Sequence, residues 1–265
     1  MFKPTATGPA VLMAAAALTI AAFNQPAAAR TVEIEFDADN FDSPVATEFF
    51  PLNPATYVYQ AETPDGCEID IVEVTGETEL VAGVTTTVVR DDAYEDQDCD
   101  GADPGDLVEK TEDWFQADNS GNVWYFGEET FDCDGADDCT LGAGSWRAGV
   151  NGAQPGIVML ADPRSGDRYR QELAEGVAED WGMVMNLNAS VRLRRDDAFP
   201  PGEFDGCIVT KEWNALEPGS VEQKSYCPDI GLVLVEEHSG KIVRLELTDP
   251  EADDADAFRF RTVPK

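Results

Sequence analysis

C-E-I-D-I-V-E-V-T, Cys67–Thr75, alternates apolar with acidic side chains. Successive side chains of a β-strand point to opposite faces, so this period of two marks a half-buried strand. Val84–Val89 is β-branched and follows Gly83, and Leu107–Phe115 and Asn122–Gly127 flank Asp118-Asn119-Ser120-Gly121, a run of turn-forming residues. Arg168–Glu175, Met183–Leu193, Gly206–Trp213, Val221–Cys227, Gly231–Glu237 and Lys241–Leu247 carry the same texture, and Ser239-Gly240 makes the last two a hairpin. Only Gln171–Val184 has an ambiguous, partly helical period, broken by Gly176 and Gly182. Strands at this frequency predict an all-β fold: an antiparallel barrel-like or strongly curved sheet.

The 265 residues hold 53 Asp+Glu against 18 Lys+Arg, a formal charge of −35, with one histidine. That charge repels phosphate backbones and anionic headgroups, which excludes nucleic-acid partners and adsorption to acidic membranes. A single histidine, His238, cannot build a multi-histidine metal centre. Lys3, the apolar run Ala10–Phe23 and the small residues Ala27-Ala28-Ala29 read as an export signal over residues 1–29. Residues 30–265 then form one exported domain, secreted or periplasmic, with no segment long enough to span a bilayer.

Export places six cysteines in an oxidising compartment, and their even number predicts three disulfides. Spacing favours Cys133–Cys139 as a loop clasp and Cys207–Cys227 between neighbouring strands, leaving Cys67 and Cys99 as the third pair. If the turns near Gly76 and at Asp118–Gly121 lie at one end of a meander, Cys67 and the loops 95–106 and 132–144 share the other rim. Residues 91–138 concentrate eighteen carboxylates against one cation, Lys110. Asp96, Asp98, Asp100 and Asp103 resemble the opening of an oxygen-rich calcium loop, although its twelfth position is Leu107 and not a bidentate glutamate. Asp132, Asp134, Asp137 and Asp138 repeat the theme. Calcium, or another hard cation, is the expected rim ligand; a solvated acidic loop is the alternative.

D-W-F-Q-A-D-N-S-G-N-V-W-Y-F-G-E (Asp113–Glu128), then G-S-W-R-A-G-V-N-G-A-Q-P-G-I-V-M (Gly144–Met159) and G-D-R-Y-R-Q-E (Gly166–Glu172), resemble a family of exported bacterial β-rich proteins with a D-W-x-x-Q-D/N-x-x-G-N-V-W-Y-x-G-E core. The likeness runs from about Pro51 to Val235 and implies export without implying an activity. E-Q-K-S-Y-C-P-D-I-G-L-V (Glu222–Val233) more distantly resembles the closing hairpin of half-barrel envelope lipoproteins. The two cysteine-bearing acidic loops depart from the family pattern.

Trp114, Trp124, Tyr125 and Trp146 lie in or beside that motif. Trp124 and Phe126 face one side of a strand while Val123 and Tyr125 face the other, so large rings occupy both faces. Core packing explains this; an aromatic wall of a ligand cavity is the alternative. Hydrolysis has little support. Ser145 lacks a G-x-S-x-G setting, no D-T-G or D-S-G occurs, and 53 acids do not single out a catalytic pair. The expectation is a binding or structural protein, with a carrier of an apolar ligand in a curved sheet, or a two-carboxylate hydrolase, as alternatives.

Overall fold

The computed structural model describes residues 29–63, 66–97, 105–194, 202–238 and 242–249. The signal expected over residues 1–29 lies outside these, apart from Ala29. After β1 (Arg30–Thr31) and one 3-10 turn, Ala38–Phe41, come β2 (Ala55–Thr63), β3 (Gly66–Val81), β4 (Val84–Asp96), β5 (Asp106–Ala117) and β6 (Val123–Cys133). The short β7 (Cys139–Leu141), β8 (Trp146–Arg147), β9 (Gln154–Met159), β10 (Asp167–Arg170) and β11 (Glu172–Leu173) follow. A second set comprises β12 (Asp180–Arg192), β13 (Glu203–Asn214), β14 (Val221–Cys227), β15 (Gly231–His238) and β16 (Ile242–Asp249).

These form one sheet in the order β1-β10-β12-β13-β14-β15-β16-β2-β3-β4-β5-β6-β9-β11, with β7 and β8 also on β6. Only β1–β10 is parallel. Two antiparallel meanders are therefore joined where β16 pairs β2. The sheet does not close into a barrel, so of the two expected forms the curved one is realised. Its ends instead share a segment: β10 pairs β12, and two residues later β11 pairs β9. The ambiguous stretch after Gln171 is this crossover, with Ala174 bridging Ala178, and not a helix.

Two turns set the register of the first meander. Ala82 and Gly83 both have positive φ (49° and 89°), the conformation of a tight hairpin turn whose twist matches its strands. β3 therefore continues to Val81, past the break expected near Gly76, where the ladder is shifted instead. At the next turn the buried Asp118 accepts from Ser120 N (2.8 Å) and Asn122 N (3.0 Å) through Oδ1. Its Oδ2 accepts from Asn122 Nδ2 (2.8 Å) and Trp124 Nε1 (2.9 Å). The Asp-x-x-x-Asn-x-Trp spacing of the motif is thus a turn clamp. Both turns lie at one end of the meander, and Gly66, Asp96, Asp106 and Cys133 at the other, as the alternation of strand direction requires.

The convex side is apolar beside β6. Trp124 and Phe126 are buried there beneath Phe36 and Phe41 of the N-terminal segment, with ring centroids 5.6–6.0 Å apart. Disulfides join Cys133–Cys139 and Cys207–Cys227, as expected. These two are the ones with both cysteines among the described residues. Cys67 is also disulfide-bonded, and Cys99 lies outside them.

Candidate functional site: an acidic interior

The concave side is not a sealed apolar core. Twelve of the strands contribute to the walls of a cavity of about 410 Å³ and an adjoining one of about 900 Å³, the two sharing Tyr59, Asp91, Glu109, Glu128 and Lys224. Strand alternation delivers the lining: Glu68, Asp70, Val72 and Val74 from β3; Val89, Asp91, Ala93 and Glu95 from β4; Glu109, Thr111, Asp113 and Phe115 from β5; Glu222, Lys224 and Tyr226 from β14. Eight carboxylates line the first cavity, and five more the second. Among the described residues Lys224 is the one cation in these linings.

A bulge brings two essential wall residues together. Asp113 is opposite Glu128 and Phe115 is opposite Tyr125, so β6 carries one extra residue between these pairs. Without it Tyr125 and Glu128, three apart, would face opposite sides. Gly127 makes the bulge possible: its φ is +123°, and a Cβ there would lie 2.3 Å from Trp146 O. The Tyr125 ring stacks on Phe115 at 4.6 Å, and its hydroxyl donates to Asp113 Oδ1 in a short bond. With Phe50, Tyr57 and Tyr226 they make an aromatic wall in the smaller cavity, while Glu68, Asp70, Glu95 and Glu237 line the larger.

Lys224 Nζ is 3.2 Å from both Glu212 Oε2 and Glu222 Oε2. Burial opposes its charge, but Glu212 and Glu222 outweigh burial and hold its pKa well above the usual lysine value. Lys224 in turn holds Glu222 below its ordinary value. Lys224 also pulls Asp91, Asp113, Asp180 and Glu237 downward, but there burial outweighs it. Burial, then Asp91 and Glu68, pushes Asp70 up to about 8. Burial, then Glu109 and Asp92, pushes Asp91 up to about 7, and burial raises Glu128 to about 7. Asp113 is raised well above the carboxylate range by burial and then by Glu128. Glu172 is raised well above it by burial and by the hydrogen bond it shares with Asp180, itself raised by burial. Withdrawing that many charges from bulk water with one ammonium to offset them is unfavourable, which favours the protonated forms of these carboxyls.

The residues singled out from sequence are scattered by comparison. Tyr125 alone of the four aromatic candidates lines the cavity. Trp124 is core, tied to Asp118. Trp114 and Trp146 line a separate groove of about 320 Å³, where the Arg147 guanidinium lies 4.6 Å from the Trp114 ring. Of the acidic-loop candidates, Asp96 is buried at the end of β4 and lines the larger cavity. Asp132, Asp134, Asp137 and Asp138 are exposed around the Cys133–Cys139 clasp. Asp98, Asp100 and Asp103 lie outside the described residues, and among those described no three such side chains converge as metal ligands. The interior carboxylates passed unnoticed in the sequence because an acidic residue alternating with apolar ones reads as solvent-facing. On β3 the assignment is reversed: Glu68 and Asp70 face the cavity, and Ile69 is buried on the other face.

No family model matches the sequence, and no curated protein matches it. Two solved structures are similar in fold. One is a protein from Bacteroides fragilis assigned to the exported proteins with a YmcC-like fold: 12% identity, TM-score 0.41, 77% of this chain and 98% of that chain covered. The other is assigned as a lipoprotein, from Parabacteroides distasonis: 12% identity, TM-score 0.37, 77% and 99% covered. Among the described residues no helix is long and apolar enough to cross a membrane.

Proposed function

We propose that this is an exported, non-enzymatic binding protein that holds a partly apolar organic cation inside its curved sheet. The observation that carries the reading is the cavity lining: among the described residues, thirteen carboxylates and one cation, with an aromatic wall at hand. A cationic headgroup offsets the repulsion among Asp70, Asp91, Asp113 and Glu128, and Phe115, Tyr125 and Tyr226 accommodate its apolar body. This modifies the apolar-carrier expectation, because the concavity is polar over much of its wall.

Titration calorimetry with benzyltrimethylammonium, benzyl alcohol and benzoate tests the proposal. Binding of the cation alone, weakened in Glu128→Gln, supports it. Equal binding of the neutral alcohol, or no binding of the cation at all, overturns it.

A further inference from the structure

The chain carries its own candidate ligand. The last described residue, Asp249, is paired with Val58, between Tyr57 and Tyr59 of the cavity wall. Residues 250–265 lie beyond it: P-E-A-D-D-A-D-A and then F-R-F-R-T-V-P-K. Four acids in the first eight residues give way to Phe258, Arg259, Phe260, Arg261 and Lys265. Three of the chain's 18 basic residues are thus gathered into its last seven positions, without an intervening acid. Alternation of aromatic and guanidinium groups is the chemical complement of the cavity, where aromatic rings and carboxylates share the walls. The nine residues between Asp249 and Arg259 reach about 30 Å when extended, enough to return the segment to the cavity beside which β16 ends.

We infer that the basic aromatic segment Phe258–Lys265 docks in the acidic interior of the same chain and competes there with external cations. The inference rests on the cavity being a cation site and names the ligand class that it recognises: a peptide alternating aromatic and arginine residues. Both partners being in one chain, docking is intramolecular, with an effective concentration in the millimolar range for a short linker. A modest intrinsic affinity therefore suffices for occupancy.

The test uses the full chain. In Arg259→Glu/Arg261→Glu the cavity is expected to bind benzyltrimethylammonium about tenfold tighter than the parent, because the competitor is removed. That variant also adds negative charge, so Phe258→Ser/Phe260→Ser, which leaves the charge unchanged, must shift affinity in the same direction. A synthetic peptide of residues 256–265 is expected to displace the probe from either variant. Variants that bind the probe no more tightly than the parent, with a peptide that displaces nothing, overturn the inference while leaving the cation site intact. Absence of probe binding in parent and variants alike removes the cation site, and the inference with it.

Discussion

Asp91→Asn isolates the central physical claim, that the cavity carboxylates are costly to ionise. Asp91 faces the cavity from the middle of β4, and its pKa stands at about 7 against an ordinary 3.8. A group raised on folding gives stability that is fully present below the unfolded value and is lost as pH rises through the folded one. For Asp91 that window runs from about pH 4 to pH 7. At about 1.36 kcal/mol per pKa unit the full shift corresponds to roughly 4 kcal/mol. Water in the open cavity raises the effective dielectric, so the expected effect is about 2–3 kcal/mol. The amide keeps the shape and removes the charge. Urea unfolding of the parent is therefore expected to lose stability between about pH 4 and pH 7, and Asp91→Asn to lose about 2–3 kcal/mol less. Below about pH 4 the two proteins should nearly coincide. Parallel stability curves across that range would refute the electrostatic account of the cavity.

Lys224→Met leaves Glu212 and Glu222 facing each other without their cation. It should cost about 3–5 kcal/mol near neutral pH, measured by chemical denaturation, because the partners of a broken buried pair remain. Gly127→Ala forces a Cβ toward Trp146 O and should cost more than about 2 kcal/mol while flattening the bulge, read as altered near-ultraviolet dichroism of Tyr125 and Trp146. Trp124→Phe removes the indole donor to Asp118 and should cost about 1–3 kcal/mol in thermal unfolding, with the far-ultraviolet spectrum unchanged. Peptide mapping without reduction should recover Cys133 with Cys139 and Cys207 with Cys227.

Much of the strand order was legible in the sequence, because period-two patterning and turn chemistry are local properties. The strands from β3 to β6 and from β12 to β16 overlap the stretches that alternation and turn residues mark, although β3 and β4 run on past Thr75 and Val89. β2, A-T-Y-V-Y-Q-A-E-T, was missed although it is rich in strand-forming residues, and β9, Q-P-G-I-V-M, was hidden by Pro155 and Gly156. The site was much less legible. Alternation tells which residues share a face but not which face encloses the cavity, and Glu68 and Asp70 look the same pointing inward or outward. Arg90 shows the contrast: it lies between Glu73, Glu77 and Glu112 on the opposite face, in a cross-strand cluster of the kind expected of an acidic sheet surface.

By itself the sequence determined the β architecture, the turn at Asp118–Gly121 and the two cysteine pairs seen, each of which depends on residues close along the chain or on neighbouring strands. Tertiary structure alone decided what the acidity does. Curvature of the joined meanders turns one face of twelve strands inward, and a single extra residue at Gly127 places Tyr125 and Glu128 on that face together. Carboxylates that the sequence spreads over many strands are thereby gathered around one lysine, where low dielectric and mutual repulsion make them costly to ionise.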